Sequence, residues 1–269
     1  MRGEQILAKI EASKDTIEFL PTGFERIDKV LDGGFMRKEL VVLGGFTGWG
    51  KSYIATEIFY NLAKKGFKSI YFSLELSNEA IVSRIIGAIT NLKPTRIIAG
   101  VLSMEELQTK IEGKAKFLVF NDYMEFYDDI YKLEEIEKRI KISSPEFAII
   151  DFIQNVMARG EEYERLSYIS LELQRIAKEA NCCILLLSQL SNEAAKKGYV
   201  EYKGSGGIAT VCDLGFFMKR SGENTSGVMV DNVEFDDAFE LLLKKNRRGA
   251  SGISFQMKFK KPGGRIKCE

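Results

Sequence analysis

The sequence predicts an α/β protein with a doubly wound, mostly parallel central sheet and antiparallel strands at its C-terminal edge. Apolar, strand-like runs alternate with helical segments up to about residue 190, and strand-like runs dominate beyond it. A glycine-rich stretch, Gly45–Ser52, connects the first of these apolar runs to the first long helical segment. Strands that alternate with helices are typical of parallel sheets covered on both faces. The whole pattern fits one domain, residues 20–269, preceded by a short N-terminal segment, residues 1–19.

Composition and charge exclude several functional classes. The 269 residues are 45% hydrophobic, enough for a substantial core, and carry a net charge of +1, so any contact with nucleic acid must come from local basic groups. Histidine is absent from the sequence, which excludes histidine metal sites and histidine triads. The four cysteines form no C-x-x-C pair, and we expect free thiols in a reducing cytosol. No apolar run approaches the ~18 residues of a membrane span. Because the N-terminus is polar and charged, we expect a cytoplasmic protein with no membrane partner.

Two short helices are predicted before the glycine-rich stretch. Glu4–Ala12 carries three apolar residues on one side, and a helix of this length is marginal alone. We expect it to dock on another subunit, with packing on its own domain as the alternative. Glu25–Leu31 is expected to begin after a cap at Thr22 and to end at Asp32–Gly34, where glycine supplies a left-handed C-cap.

The later helices are predicted from apolar residues spaced three to four apart. Ser77 is a candidate N-cap, and Ser103 followed by Glu106 forms a capping box. The predicted helices are 53–65, 78–90, 97–113, 130–142 and 166–180.

The strands are predicted from short runs rich in β-branched and aromatic residues. They are 39–44, 68–74, 116–120, 146–151, 182–187 and 213–218, then a short edge strand at 228–230 and a hairpin of 239–245 with 253–259. The long, polar and glycine-rich segment Ser191–Gly207 is expected to be a mobile surface loop, since connections of this length are often functional. The basic C-terminal tail is expected to be frayed.

The glycine-rich stretch has the Walker A pattern G-x-x-x-x-G-K-[ST]. Its glycines let the backbone turn tightly, so that N–H groups point at phosphate oxygens at the start of a helix. Lys51 can then reach the β- and γ-phosphates, and Ser52 can ligate Mg²⁺. Trp49 either stacks on a base or a neighbouring side chain or, as we favour, simply packs. The predicted nucleotide-binding residues are Gly45, Thr47, Gly48, Trp49, Gly50, Lys51, Ser52 and Tyr53.

Two carboxylates stand at the ends of predicted strands. The apolar run 146–151 ends in Asp151, the Walker B pattern, in which the carboxylate holds Mg²⁺ through its water shell. Glu75 follows the strand 68–74, where a carboxylate at the carboxyl edge of the sheet would face the nucleotide crevice. From the residues alone, an exposed glutamate near a helix start remains the alternative for Glu75.

Several stretches, in one order, resemble the ATPase motor domain of replicative hexameric DNA helicases, the DnaB-type family with the RecA-like fold. The resemblance runs from about Leu20 to Phe259. Besides Gly45–Ser52, the stretches are Pro21–Asp28, Phe72–Leu76, Ile149–Gln154, Leu187–Ser191, Lys203–Ile208 followed by Asp213, and Lys245–Gly249. The resemblance implies a RecA-like P-loop NTPase with ATP and Mg²⁺ as cofactors.

The resemblance implies catalytic roles for five residues. Lys51 binds the phosphates, and Glu75 is the general base that orients the attacking water. Gln189 is the implied γ-phosphate sensor. Lys245 and Arg247 are implied fingers that reach the nucleotide of the adjacent subunit and stabilise transition-state charge. Without the resemblance, these last charges would be interpreted as a cluster at a hairpin tip.

The resemblance also implies partners. Lys203, Gly204, Ser205 and Gly206 are the implied contacts to single-stranded DNA, with affinity carried by phosphates and weakened by salt. Where the family has Arg-Glu, this chain has Lys203-Gly204. We expect a homo-oligomer, a hexameric ring, that works at a bacterial or phage replication fork with a primase or loader protein as a further partner.

The N-terminal helical domain of the family has no counterpart in this sequence, and residues 1–19 are expected to be a linker helix. A natural short form and a fragment both fit this expectation. Two other functions use the same fold: a regulator or loader switched by ATP without unwinding, and a recombinase that coats DNA as an open filament. The helicase is favoured by lysines 196, 197 and 203 and by the finger segment, Lys245–Gly249, which carries the two implied fingers.

Overall fold

The computed structural model describes residues 18–111, 123–190, 206–220 and 238–269, together with residues 3, 5, 7 and 11. Three predictions lie wholly or largely outside these residues: the strand at 116–120, the edge strand at 228–230 and the loop at 191–207, of which only the last two residues are described. Of the predicted N-terminal helix Glu4–Ala12, residues 5, 7 and 11 are helical and exposed, and the remainder lies outside the described residues.

The described residues form one nine-stranded sheet. Its strands are β1 (Leu40–Gly45), β2 (Ser69–Ser73), β3 (Met124–Tyr127), β4 (Phe147–Asp151), β5 (Cys183–Gln189), β6 (Leu214–Arg220), β7 (Ala238–Asn246), β8 (Ile253–Lys260) and β9 (Arg265–Cys268). The spatial order is β3-β2-β4-β5-β1-β6-β7-β8-β9. The pairs from β3 to β6 are parallel, and those from β6 to β9 are antiparallel. This arrangement confirms the predicted fold class.

Eight α-helices connect or flank these strands in the described part of the chain. They are α1 (Glu25–Val30), α2 (Lys51–Lys64), α3 (Asn78–Thr90), α4 (Pro94–Ile98), α5 (Met104–Ile111), α6 (Leu133–Ser143), α7 (Glu162–Glu179) and α8 (Gly206–Val211), with a 3₁₀ turn at Ile153–Asn155. None of the described helices is both long and apolar enough to cross a membrane.

The core lies on both faces of the sheet because successive strand residues point to opposite sides. On β1, Val41 and Leu43 join a cluster with α1, α2 and α3, whereas Leu40 and Val42 join a second cluster with α6 and α7. All four are essentially fully buried. Because β1, β2, β4 and β5 run parallel, their carboxyl ends lie at the same end of the sheet.

Two of the predicted N-terminal caps are confirmed and one is wrong, and the left-handed residue that follows α1 is Asp32, with φ 56°, rather than the predicted glycine. Ser77 accepts a hydrogen bond from the backbone N–H of Ala80 at the start of α3. Ser103 and Glu106 form the reciprocal bonds of a capping box, at 3.1 and 2.8 Å. Thr22 does not cap α1; its hydroxyl instead accepts from the N–H of Phe24 and donates to Asp28.

The structure corrects the prediction at both edges of the sheet. The C-terminal tail is not frayed, because Ile266 is buried and Cys268 half-buried while the alternating residues Arg265 and Lys267 are exposed. This alternation forms β9. At the other edge, β3 was not predicted; it pairs parallel with β2. The predicted helix 97–113 is also two helices, α4 and α5, with Gly100 in a left-handed conformation between them.

Candidate active site

The predicted phosphate loop lies between β1 and α2. Gly48 and Gly50 have positive φ values of 79° and 99°, which glycine adopts without strain, and α2 begins at Lys51. The Lys51 ammonium (Nζ) donates to the carbonyls of Gly45 and Phe46 at 2.8 and 3.0 Å. These contacts fold the lysine back over its own loop, close to where phosphates would bind.

Gly50 is also a position of close approach. A Cβ placed on Gly50 would lie 2.5 Å from the ring carbon Cζ of Phe259 on β8. The ring of Phe259 in turn packs edge-on against Tyr53, with centroids 5.8 Å apart. The C-terminal hairpin therefore supports the phosphate loop from one side.

Asp151 ends β4 beside the start of α2. It is only 2% exposed, and the Tyr71 hydroxyl donates to its Oδ2 at 2.8 Å. Burial raises the pKa of Asp151, while hydrogen bonds from Ser52 and Tyr71 act in the opposite direction. The hydroxyl of Ser52 and the carboxylate of Asp151 are therefore neighbours. Both are oxygen ligands of the kind that Mg²⁺ prefers, so the residues present fit the predicted metal.

Glu75 follows β2 at the same edge, since Ser73 of β2 lies opposite Asp151 of β4 in the sheet register. Partial burial and then repulsion from Asp151 raise the pKa of Glu75, and attraction to Lys51 and Arg84 opposes the rise. The exposed residue Glu75 thus shares its electrostatic environment with Asp151 and Lys51. A glutamate at an unrelated helix start would not do so.

Arg84 is a residue of this site that the sequence analysis missed. Its guanidinium carbon lies 4.5 Å from the ring centroid of Tyr53, and its positive charge opposes the rise that burial causes in the pKa values of Asp151 and Glu75. Burial lowers the pKa of Lys51, whereas Asp151 and Glu75 raise it. The only sequence signal for Arg84 is a lone cation in the second turn of α3.

Gln189 ends β5 directly opposite Gly45 of β1. Its backbone N–H donates to Oε1 of Gln154, and Nε2 of Gln154 donates to the hydroxyl of Ser188, both at 3.4 Å. The predicted sensor therefore stands at the edge where the phosphate loop begins.

The other predicted nucleotide-binding residues surround the loop. Trp49 is half-buried and packs edge-on against Phe46, with centroids 4.7 Å apart, as expected for a packing residue. Tyr53 lies between Phe259 and Arg84. Thr47 is exposed at the tip of the loop.

Lys245 and Arg247 are not brought to this site within one chain. Lys245 Nζ donates to the carbonyls of Ala209 and Thr210 at the end of α8, each at 2.8 Å. Arg247 donates to Asp213 at 3.0 Å and to the carbonyl of Thr210 at 3.0 Å. Residue 246 pairs with Leu214 at the start of β6, so both cations lie at the sheet edge opposite the phosphate loop.

Arg248 is a second residue whose own role the sequence did not predict. Its guanidinium donates to the carbonyls of Leu31 and Gly34 at 3.1 and 2.9 Å, and pairs with Glu39 at 2.9 Å. Its neighbour Arg247 is far more exposed, although the two are chemically identical. Arg248 therefore anchors the segment that carries Lys245 and Arg247.

The predicted DNA contacts are mostly outside the described residues, which exclude Lys203, Gly204 and Ser205. Gly206 was predicted in a loop but begins helix α8. The carbonyls at the end of this short helix accept the hydrogen bonds of Lys245 and Arg247. The predicted DNA segment is thus linked to the predicted finger segment through six helical residues.

The phosphate loop and the two carboxylates meet at the carboxyl edge of a parallel sheet that continues into antiparallel strands. Together they define a P-loop NTPase domain with the RecA-like fold. The sequence profile of the family described as "DnaB-like helicase C terminal domain" matches residues 20–267. The chain belongs to this family.

Individual relatives agree with this assignment. The chain is 29% identical over 268 residues to a "Probable replicative DNA helicase" of Trieres chinensis, a match that covers 93% of the chain and 57% of the relative. The chain thus spans about half the length of the curated relatives it matches.

Solved structures confirm the fold. The chain is similar to a solved structure described as an "ATPase Domain", with a TM-score of 0.81 and 19% identity over 99% of both chains. It is also similar to a chain in "The Structure Of A DnaB-Like Replicative Helicase And Its Interactions With Primase", with a TM-score of 0.78 and 19% identity over 99% of this chain and 67% of that one.

Proposed function

We propose that this chain is the ATP-driven motor of a DnaB-type replicative DNA helicase. It hydrolyses ATP at subunit interfaces and uses the energy to move on single-stranded DNA. The observation that carries this proposal is the separation of the chemistry. The carboxyl ends of the parallel strands carry Lys51, Ser52, Asp151 and Glu75. Arg247 lies at the opposite, amino end of these strands. Family membership supports the motor over the regulator and recombinase alternatives.

The residues at the loop edge perform the first half of the reaction. Lys51 leaves its loop carbonyls and binds the β- and γ-phosphates of ATP. Ser52 and Asp151 hold Mg²⁺, which when bound neutralises charge on the phosphates. Glu75 accepts a hydrogen bond from water and aims it at the γ-phosphorus for in-line attack. Gln189, at the end of β5, contacts the γ-phosphate and senses its loss.

The second half of the site comes from a neighbouring subunit. A guanidinium or ammonium near the γ-phosphate stabilises charge in the transition state. Because Lys245 and Arg247 lie at the edge opposite their own loop, we assign them to the nucleotide of the adjacent subunit. A contact that joins one end of a protomer to the opposite end of its neighbour is heterologous, and such contacts close into rings when the rotation permits. We propose a hexameric ring.

The proposed path to DNA runs through α8. Residues 203–206 contact the phosphates of one strand without sequence preference. The α8 carbonyls of Ala209 and Thr210 accept the hydrogen bonds of Lys245 and Arg247. A movement of residues 203–206 would therefore be transmitted through α8 to Lys245 and Arg247, which act on the neighbour's ATP.

The biological setting is proposed from the relatives. The protein acts in the cytoplasm at a bacterial or phage replication fork. A primase is the expected protein partner, because a similar structure is described in terms of its interactions with primase. A loader protein is the second expected partner.

The proposal is tested by steady-state ATPase with and without single-stranded DNA, with oligomer mass measured in parallel. We expect DNA to stimulate turnover and the mass to match a closed ring. Glu75→Gln should abolish turnover, whereas Glu79→Gln, an exposed glutamate in the first turn of α3, should leave it unchanged. A monomer whose turnover is indifferent to DNA would contradict the proposal.

A further inference from the structure

The phenol of Tyr71 is a buried hydrogen-bond donor aimed at the Walker B aspartate. Its hydroxyl lies 2.8 Å from Oδ2 of Asp151. Tyr71 is 0% exposed and Asp151 is 2% exposed, so water does not compete for this bond. Nothing in the Walker A or Walker B pattern asks for a tyrosine on the neighbouring strand.

Packing fixes the direction of this phenol. Tyr71 is on β2, next to β4, and pairs in register with Ile149, two residues before Asp151. The side chains of positions 149 and 151 therefore point to the same face of the sheet as Tyr71. On that face the ring packs edge-on against Phe59 of α2, with centroids 5.6 Å apart. The ring thus has little freedom to turn its hydroxyl away from Asp151.

We propose that Tyr71 is a positioning residue that orients the carboxylate of Asp151 for Mg²⁺ binding. This inference rests on the proposed metal-holding role of Asp151. A buried carboxylate that is held through one oxygen cannot rotate freely about its last bond. Its direction relative to Ser52 is therefore set before the metal arrives. Partners of this kind around metal-holding groups affect metal affinity by about 10–100-fold.

The alternative is that Tyr71 only fills the core. Tyr71→Phe separates the two, because phenylalanine keeps the ring and its contact with Phe59 and removes only the hydroxyl. A core-filling tyrosine would tolerate this change at the metal site. A positioning tyrosine would not.

The chain also offers a matched control. The hydroxyl of Tyr127 donates to the carboxylate of Glu125 at 2.9 Å on β3. This pair is half-buried and lies at the far edge of the sheet from β1. Tyr127→Phe therefore removes the same kind of bond at a distance from the site.

The test measures Mn²⁺ affinity by electron paramagnetic resonance in the presence of ADP. It compares wild type, Tyr71→Phe, Tyr127→Phe and Asp151→Asn in the full chain. We expect Tyr71→Phe to weaken Mn²⁺ binding about 10–100-fold. We expect Tyr127→Phe to match wild type. ADP affinity in the presence of EDTA should be the same in wild type and Tyr71→Phe, because only the metal arm is changed.

The outcomes separate this inference from the proposed function. If Asp151→Asn weakens Mn²⁺ binding and Tyr71→Phe does not, the proposed positioning role of Tyr71 is wrong, but the metal-holding role of Asp151 is supported. If Asp151→Asn binds Mn²⁺ like wild type, the metal assignment itself fails. Tyr71→Met is the second variant should Tyr71→Phe not fold. It lacks the hydroxyl as well, so it must lose Mn²⁺ affinity too, and wild-type affinity in a folded Tyr71→Met would equally overturn the inference.

Discussion

The guanidinium of Arg247 donates to the carboxylate of Asp213 at 3.0 Å. This contact lies beside the first residue of β1, the strand whose other end leads into the phosphate loop. The same carboxylate accepts a hydrogen bond from the N–H of Leu40, the first residue of β1. Gly45 is the last residue of β1, and five steps of about 3.3 Å separate the two ends by roughly 16 Å. The guanidinium of Arg247 therefore lies well away from the phosphate loop of its own chain, in keeping with the role that we propose for it at the neighbouring site.

Arg247→Ala should lower ATP turnover by about 10³-fold or more, as expected when a transition-state cation is lost. Nucleotide binding by isolated subunits should be retained, because Lys51, Ser52 and Asp151 are untouched. A steady-state ATPase assay measures the loss of turnover, and equilibrium binding of a fluorescent nucleotide measures whether nucleotide affinity is retained. Lys258→Ala, which removes an exposed cation on β8, is the control and should turn over normally. Normal turnover in Arg247→Ala would contradict the finger assignment.

Neighbouring arginines should differ in their effect on stability. Arg248→Ala removes the partner of Glu39, whose side chain is 11% exposed, and should lower the free energy of unfolding by about 3 kcal/mol. Arg247→Ala breaks a pair whose arginine side chain is 46% exposed and should cost about 1 kcal/mol or less. Urea unfolding of both variants measures the contrast. Equal losses would mean that Arg248 does not anchor the finger segment.

Two glycines of the phosphate loop form a natural comparison. Alanine at either position meets a positive φ, which costs about 1–2 kcal/mol. At Gly48 a new Cβ would meet nothing within 4 Å, but at Gly50 it would meet Phe259. Gly50→Ala should therefore destabilise the protein more than Gly48→Ala in urea unfolding. Adding Phe259→Leu should recover part of the Gly50→Ala loss, and no recovery would argue against the contact.

Glu57 should make stability depend on pH. Burial raises its pKa above 4.5, against the opposing charge of Arg265 and a hydrogen bond from the backbone of Ile266. An acid whose folded pKa is raised binds more protons folded than unfolded in the window above 4.5, so stability falls as pH rises through that window. Near pH 7 the charged form is therefore a cost.

Glu57→Gln removes this cost. We expect a higher Tm than wild type near pH 7, with the difference shrinking as pH falls toward 4.5 and wild-type Glu57 takes up its proton. Thermal unfolding across this range measures the difference. Glu79→Gln is the exposed control, and its effect should not follow pH in this way. A difference that grows as pH falls would reverse the assigned sign.

The sequence predicted what depends on neighbouring residues. The phosphate loop needs only glycines, Lys51 and Ser52 at fixed spacing before a helix. Asp151 and Glu75 were found because parallel strands end at one edge, so position along the chain implies position in space. The roles of these residues are predictions, whereas their closeness in space could be expected from the sequence alone.

What the sequence did not predict depends on distant contacts. Tyr71 and Asp151 are 80 positions apart, and Arg248 bonds Leu31 across 217 positions. No local pattern distinguishes a tyrosine or arginine with such a partner from one without. The strand β9 was missed for a different reason. Its alternation involves only Ile266 and Cys268, too few residues to separate from a basic tail.

Mixed oligomers test most directly whether each ATP site is completed by a neighbour. Lys51→Ala subunits lack a working loop but supply Arg247, and Arg247→Ala subunits do the reverse. Each variant alone should be inactive. After equal amounts are dissociated and reassembled at random, about one quarter of the interfaces join an intact loop to an intact finger. ATP turnover should reappear, up to roughly that fraction of wild type.

The matched control mixes Lys51→Ala with Glu75→Gln. Both defects fall on the loop side of the interface, so no combination restores a site, and turnover should stay absent. Native mass spectrometry verifies that mixed oligomers form in both cases. Recovered turnover only in the Lys51→Ala and Arg247→Ala mixture is the result that the account predicts. Mixed oligomers of that pair with no turnover above the separate variants would contradict it.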